Sequence, residues 1–471
     1  MIKLNNVNFS YAVDVYSDVQ KTEKQLESIK NISLSVNKGE VVLLTGSSGC
    51  GKTTILRLIN GLIPAYYHGN LKGSVLIDGR DGFGISLIER AAIMGTVFQD
   101  PRAQFFSVDT TNELAFACEN QGIAEDDIYK RIDETVDRFS MQDLMDRNIF
   151  ELSGGEKQKI ACASIDVKNP KIILMDEPSS NLDTEAIEKL KEVISIWKSQ
   201  GKTIVISEHR INYIWDITDR MYVLESGEII KSFEAHEMKK LNNQELEKRG
   251  LRSKILEDPM NARIKAEIGH LDQDILLREL SLKRGRKQIF HIDDMKIPIG
   301  KITAIVGYNG RGKTTLLRCL AGLEKSCKGN IVFRGKIYRP KAMKNLAYLV
   351  TQDVNHQLFT ESVLEEVFIS DSEKNWDKDM DILKRLNLDK ESDRHPMSLS
   401  GGQKQRVAVA CAIASEKEIL LFDEPTSGLD YTNMYELAKQ FVRLCQMGKT
   451  VLIVTHDSEL IRTCCEKIIY L

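Results

Sequence analysis

Short apolar runs that end on glycine, acid or histidine recur along this chain in a fixed order. Val41–Gly46 (VVLLTG) and Ile302–Gly307 (ITAIVG) are short apolar runs ending in glycine, which suits strands buried on both faces of a parallel sheet. Each leads through a glycine-rich turn into an amphipathic stretch, TTILRLING or TTLLRCLAG, that predicts a helix. IILMDEP and EILLFDEP predict further strands ending in acids, and TIVISEH and TVLIVTH predict β-branched strands ending in histidine. Polar groups at the carboxyl ends of apolar strands mark the ligand-binding edge of a parallel sheet. The fold class expected is therefore α/β.

The same features come twice. Gly46 of GSSGCGKT and Gly307 of GYNGRGKT lie 261 residues apart, and Gln99 and Gln352 lie 253 apart. LSGGE and LSGGQ, MDEP and FDEP, and His209 and His456 all keep a spacing of 247. A repeat of this length implies two tandem domains. Between them runs a polar stretch with both signs of charge interleaved, EMKKLNNQELEKRG, which reads as a solvated linker with some helix. The expected organisation is a first domain over 1–232, a linker over 233–272 and a second domain over 273–471.

Composition narrows the setting. The chain has 471 residues, 42% apolar and 28% charged, an ordinary globular balance, and its net charge of −3 gives no global pull toward nucleic acid. Nine cysteines are scattered without zinc spacing, which points to reduced thiols in a cytosolic protein. The N-terminus lacks the basic-then-apolar order of a signal peptide. The longest apolar candidate, Val407 to Ala414, is far shorter than the roughly 18–20 residues of a membrane span. A protein soluble on its own is expected, with any membrane role passing through a partner.

The motifs carry phosphate chemistry. In G-x-x-x-x-G-K-T, glycines let the backbone curl so that amides face phosphate oxygens, and the following helix adds its N-terminal dipole. Two such loops are present: Gly46, Ser47, Ser48, Gly49, Cys50, Gly51, Lys52, Thr53 and Thr54, and Gly307, Tyr308, Asn309, Gly310, Arg311, Gly312, Lys313, Thr314 and Thr315. Lys52 and Lys313 would contact the β- and γ-phosphates, and Thr53 and Thr314 would ligate Mg²⁺. Asp176 and Asp423 would hold that ion, while Glu177 and Glu424 would orient or deprotonate the attacking water. His209 and His456 are candidate γ-phosphate contacts, and Gln99 and Gln352 candidate sensors of Mg²⁺ and water. Ser153 with Glu156, and Ser400 with Gln403, read as capping boxes that start helices. Gly154, Gly155, Gly401 and Gly402 strip side chains from the first turns and open their amides to an anion. Tyr11 could stack on adenine.

The ordered set GxxxxGKT, Gln, LSGG[EQ], DEP, (S/G)LD and His resembles the nucleotide-binding domain of ABC (ATP-binding cassette) ATPases, twice, over nearly the whole chain. The resemblance implies two phosphate-loop ATPase domains, each a mainly parallel sheet core with a helical subdomain. It implies ATP sandwiched head to tail between the phosphate loop of one half and the LSGG helix of the other. The first site would then join Gly46–Thr53, Gln99, Asp176, Glu177 and His209 to Ser400, Gly401 and Gly402. The second would join Gly307–Thr314, Gln352, Asp423, Glu424 and His456 to Ser153, Gly154 and Gly155. Asp183 and Asp430 resemble the loop that links two such sites.

A second resemblance is narrower. VFQDPRAQFF and VTQDVNHQLF are similar to the glutamine loop and short following helix of energy-coupling-factor ATPases, which power vitamin and metal importers, although Arg102 and Asn355 stand where that family carries an acid and Val354 where it carries proline. This implies membrane partners, a transmembrane coupling subunit and a substrate-binding subunit, and a place on the cytoplasmic face of the membrane, with no nucleic acid. SEHRINY resembles fused members associated with thiamine or its pyrimidine precursor. The second half has Lys283 and Arg284 near the place of Tyr11, and a guanidinium can also stack on a base. The polar insertion from Ala12 to Ser28 has no counterpart in the second half. Two other readings stay open at this stage: a soluble tandem ABC protein acting on ribosomes, and a tandem ATPase of a different ABC importer.

Overall fold

The computed structural model describes residues 1–12, 28–180, 182–256, 274–285 and 287–471. The chain forms two compact units, Met1–Ile255 and Leu256–Leu471.

In the first unit a six-stranded sheet runs, neighbour to neighbour, Glu228–Glu234, Arg220–Glu225, Val41–Gly46, Thr203–Ser207, Ile172–Asp176 and Met94–Val97. All its pairings are parallel except the hairpin of the first two strands. The strand Val41–Gly46 is buried at every position, as a run apolar on both faces requires. A separate antiparallel sheet orders Ile29–Val36, Ile2–Tyr11, Gly69–Ile77 and Arg80–Asp81. The second unit repeats the plan. Its five-stranded sheet is all parallel and orders Ala347–Val350, Ile419–Asp423, Thr450–Val454, Ile302–Val306 and Lys467–Tyr470. Its antiparallel sheet orders Lys287–Pro298, Asp274–Arg284, Lys328–Phe333 and Lys336–Tyr338.

One helix shows how the sequence sets the packing. Asp183 caps Thr184–Ser199 by accepting from the Ala186 N–H. Leu190, Val193, Ile194 and Trp197 fall at helical spacing and face the core. Each such burial contributes about 1.5–3 kcal/mol, and Trp197 is fully enclosed. Its indole donates to the buried Asp166 carboxylate at 2.8 Å.

The expected linker begins too early. The helices Ala235–Met238 and Asn243–Glu247 bury Met238, Leu241, Leu246 and Leu251 against the first unit's core. The charges of EMKKLNNQELEKRG face solvent while its spaced apolar residues dock, so 233–255 is part of the first unit. Residues 257–272, the remainder of that linker apart from Leu256, lie outside the described residues, as do Gln273 and most of the Ala12–Ser28 insertion. Among the described residues no helix is long and apolar enough to cross a membrane.

Candidate active sites

Each unit assembles its own cluster at the carboxyl edge of its parallel sheet. In the first, Gly46 ends the central strand with φ 144°, and Gly51, at φ 101°, starts the helix Lys52–Asn60. A Cβ on Gly46 would lie 2.0 Å from the Leu224 carbonyl oxygen, so only glycine lets the loop turn against that strand. A Cβ on Gly49 would meet nothing within 4 Å. Lys52 is buried, and its Nζ donates to the Gly46 and Ser47 carbonyls at 3.2 and 3.0 Å. It also lies 3.2 Å from His209 Nε2. The same imidazole nitrogen is 3.2 Å from Glu177 Oε1, and Glu177 Oε2 accepts from Gln99 Nε2 at 3.0 Å. Thr53 Oγ1 donates to Asp176 Oδ1 at 3.1 Å. Glu177 adopts φ 44°, anchored where its N–H donates to the Ser207 carbonyl at 2.8 Å. Lysine, threonine, aspartate, glutamate, glutamine and histidine thus converge from four segments of chain.

The second unit repeats this with changes. Lys313 Nζ donates to the Gly307 and Tyr308 carbonyls at 2.6 and 3.0 Å. Asn309 Oδ1 stands 3.2 Å from His456 Nε2, which is 3.6 Å from Glu424 Oε1. Glu424 has φ 45° and its N–H donates to the Val454 carbonyl at 2.8 Å. Gln352 is exposed just beyond the strand that ends at Val350. Burial pushes both strand-end aspartates up. Asp176 is raised further by the Glu177 charge, while the Thr53 hydroxyl opposes the shift. At Asp423 the Thr314 hydroxyl and the Lys313 charge oppose it.

Ser153 and Ser400 cap the helices Gly154–Asp166 and Gly401–Ala414, each in a capping box with Glu156 or Gln403. The second glycine of each motif has a packing reason. A Cβ on Gly155 would lie 2.7 Å from Ala186 Cβ, and one on Gly402 would lie 2.7 Å from Asn433 Oδ1. A Cβ on Gly401 would meet nothing within 4 Å, so its first turn is open. Asp183 and Asp430 act as N-caps of the helices that follow.

The adenine-end candidates are tied up in other contacts. The Tyr11 hydroxyl accepts from Arg57 at 3.0 Å and lies 3.2 Å from Thr54 Oγ1, and its ring meets Phe9 and Tyr67 edge-on. Arg284 pairs with Glu324 at 3.6 Å, a carboxylate that also takes Arg318 at 2.6 Å.

Sequence reasoning missed a matched pair of buried glutamates. Glu113 accepts from the Phe106 and Ser107 N–H groups at 2.9 and 2.8 Å. Glu366 accepts from those of Phe359 and Thr360 at 2.9 and 3.0 Å. Each holds the turn after a glutamine loop with its phenylalanine outward, Phe106 at 74% and Phe359 at 72% exposed. An acid seven residues after the phenylalanine in both halves was the available signal.

A family model described as ABC transporter matches residues 29–180 and again 290–427. The chain belongs to this family, as an ATP-binding protein with two tandem ABC ATPase domains. A protein of Treponema denticola, provisionally named an ABC transporter ATP-binding protein, is 40% identical over all of this chain and 95% of its own length. One of Methanosarcina mazei, with the same provisional name, is 29% identical over all of this chain and 87% of its own. Among solved structures, the complex of an archaeal ribosomal stalk protein with the archaeal ribosome recycling factor aABCE1 is similar in fold, with a TM-score of 0.64. It is 22% identical, covering 99% of this chain and 87% of that one.

Proposed function

We propose that this chain is the ATP-hydrolysing engine of a membrane importer of the energy-coupling-factor type. The observation that carries the reading is the repeated convergence, in both units, of a phosphate-loop lysine, a strand-end Asp-Glu pair and a histidine, with the histidine directly on lysine and glutamate in the first unit and meeting the lysine through Asn309 in the second. Lys52 and Lys313, with the loop amides, would hold the β- and γ-phosphates of ATP. The donor set suits Mg²⁺: Thr53 with Asp176, and Thr314 with Asp423, offer oxygen only. Among the described residues Asp423 Oδ1 is buried without a hydrogen-bond partner, a group that a cation would satisfy. Bound there, Mg²⁺ would neutralise charge on the phosphates. Glu177 and Glu424 would orient and deprotonate the attacking water, Gln99 and Gln352 would sense metal and water, and His209 and His456 would contact the γ-phosphate. Ser153 with Gly154 and Gly155, and Ser400 with Gly401 and Gly402, would close each site from the opposite half, head to tail.

The membrane role is supported by an outward phenylalanine placed alike in both halves, with further exposed apolar groups beside it in the first. Phe106, Val108 and Phe150 are 74%, 60% and 76% exposed, and the Val108 carbonyl accepts from the Ile149 N–H, which joins the two segments. Phe359 stands at the matching turn of the second unit. Clustered apolar exposure marks a partner surface, here for helices of a coupling subunit, on the cytoplasmic face of the membrane.

The test is Glu177→Gln, Glu424→Gln and the double variant. Each single change should impair hydrolysis and the double should abolish it with ATP still bound, since a general base contributes about 100- to 10,000-fold. Full turnover in the double variant would overturn the assignment.

A further inference from the structure

The residue before the histidine differs between the halves: Glu208 in the first, Thr455 in the second. Glu208 is only 2% exposed. A carboxylate at that depth must have its oxygens satisfied, and four donors reach it. Oε1 accepts from the N–H groups of His209 at 2.7 Å and Arg210 at 3.1 Å. Oε2 accepts from the Ser179 N–H at 3.3 Å and the Tyr213 hydroxyl at 3.0 Å. Burial and the Glu208 charge push the Tyr213 phenol well up, so it stays a donor. These donors belong to three segments: the loop after Glu177, the His209 turn itself, and the short helix Asn212–Ile217.

The second half is built otherwise. The Thr455 hydroxyl accepts from the Asp457 N–H at 3.0 Å, and Asp457 caps the helix Ser458–Cys464. Leu460 stands at the place of Tyr213. The imidazoles differ in step with this. His209 Nε2 is 3.2 Å from both Lys52 Nζ and Glu177 Oε1, whereas His456 Nε2 rests on Asn309 and lies 3.6 Å from Glu424.

We propose that Glu208 is a positioning residue for ATP hydrolysis at the first half's phosphate loop. It ties the His209 turn to the loop after Glu177 and so holds the imidazole against Lys52 and Glu177 before nucleotide arrives. Such preorganisation lowers the barrier because nothing need reorient during reaction. Glu208 touches no reacting atom. The inference rests on the reading that Glu177 and His209 act at the γ-phosphate.

The test compares steady-state ATP hydrolysis by the full chain carrying Glu424→Gln, so that the first half's site is read alone, with Glu208→Thr, His209→Ala, the combination of both, or Glu208→Asp added to it. Glu208→Thr should lower kcat by about tenfold, the scale of a lost hydrogen bond to a charged group, with KM for ATP changed less than about twofold, as expected when the lost interaction matters only beyond the ground state. Glu208→Asp should restore part of the loss. Adding Glu208→Thr to His209→Ala should cost nothing further, because coupled residues are not additive. Additive losses, or kcat retained in Glu208→Thr while His209→Ala is slow, would overturn the proposal alone. Unchanged kcat in His209→Ala would instead overturn the reading of the site. If Glu208→Thr does not fold, Tyr213→Phe removes one donor and keeps the carboxylate. It should lower kcat without raising KM, and wild-type kcat in it would count as refutation.

Discussion

Gly51 and Gly312 hold the same position in the two phosphate loops, yet their surroundings predict different tolerance to a methyl group. Both are left-handed, with φ 101° and 91°, so the backbone cost of alanine is similar, about 1–2 kcal/mol. At Gly51 a Cβ would lie 2.5 Å from Ile29 Cγ2 and 2.9 Å from the Ser28 carbonyl oxygen. Ile29 is fully buried, begins a strand and pairs with Phe9, so it cannot swing aside. At Gly312 the nearest atoms are Ile289 Cγ2 at 3.3 Å and Phe290 Cδ1 at 3.4 Å, which a small adjustment accommodates. Overpacking adds about 1–3 kcal/mol. Gly51→Ala should therefore cost about 2–5 kcal/mol and Gly312→Ala about 1–2 kcal/mol. A two-unit chain need not unfold in one step, so the assay is urea unfolding read by hydrogen exchange and mass spectrometry, which follows each unit separately. Equal losses, or a larger loss at Gly312, would refute the steric argument.

Asp379 is fully buried, and among the described residues neither carboxylate oxygen has a hydrogen-bond partner. Burial, then the Asp371 charge, pushes its pKa up to about 6. The native state therefore holds this proton more tightly than the unfolded chain, so this residue's contribution to stability falls as pH rises from about 4 to 6. Asp379→Asn should stabilise the second unit above pH 6 and give no gain below pH 4; a gain independent of pH in urea melts would contradict this. Of the nine thiols only Cys445 and Cys465 are partly exposed, and burial pushes Cys445 up to about 12. A thiol reagent at neutral pH should label Cys465 first and the native chain's other cysteines slowly, since the thiolate is the nucleophile; rapid labelling of Cys50 by peptide mapping would contradict its burial. Head-to-tail closure predicts that a photoreactive nucleotide held at Lys313 crosslinks near Ser153; crosslinking instead from nucleotide at Lys52 would exclude it.

The parallel cores were legible because a strand buried on both faces must be mostly apolar, and Val41–Gly46 and Ile302–Val306 each carry a single threonine, Thr45 or Thr303, in an otherwise apolar run. The repeated order of loop, acid pair and histidine was legible because phosphate chemistry restricts residue type at each step. The antiparallel sheets were not, since the alternation in Ile2–Tyr11 is interrupted by register shifts between Leu4 and Phe9. The linker was misjudged because charge density hid four docking residues whose spacing is irregular. Glu208 was overlooked as a structural anchor because the donor that ties it to the loop after Glu177, the Ser179 N–H, lies 29 residues away in sequence.

Whether ATP turnover here drives a membrane partner is read by purifying the Glu177→Gln, Glu424→Gln chain from native membranes with ATP and identifying what accompanies it by mass spectrometry. An integral membrane subunit in fixed ratio is expected, lost when Phe106 and Phe359 are both changed to aspartate. Recovery without any membrane protein, or with ribosomal particles that salt removes, would contradict it.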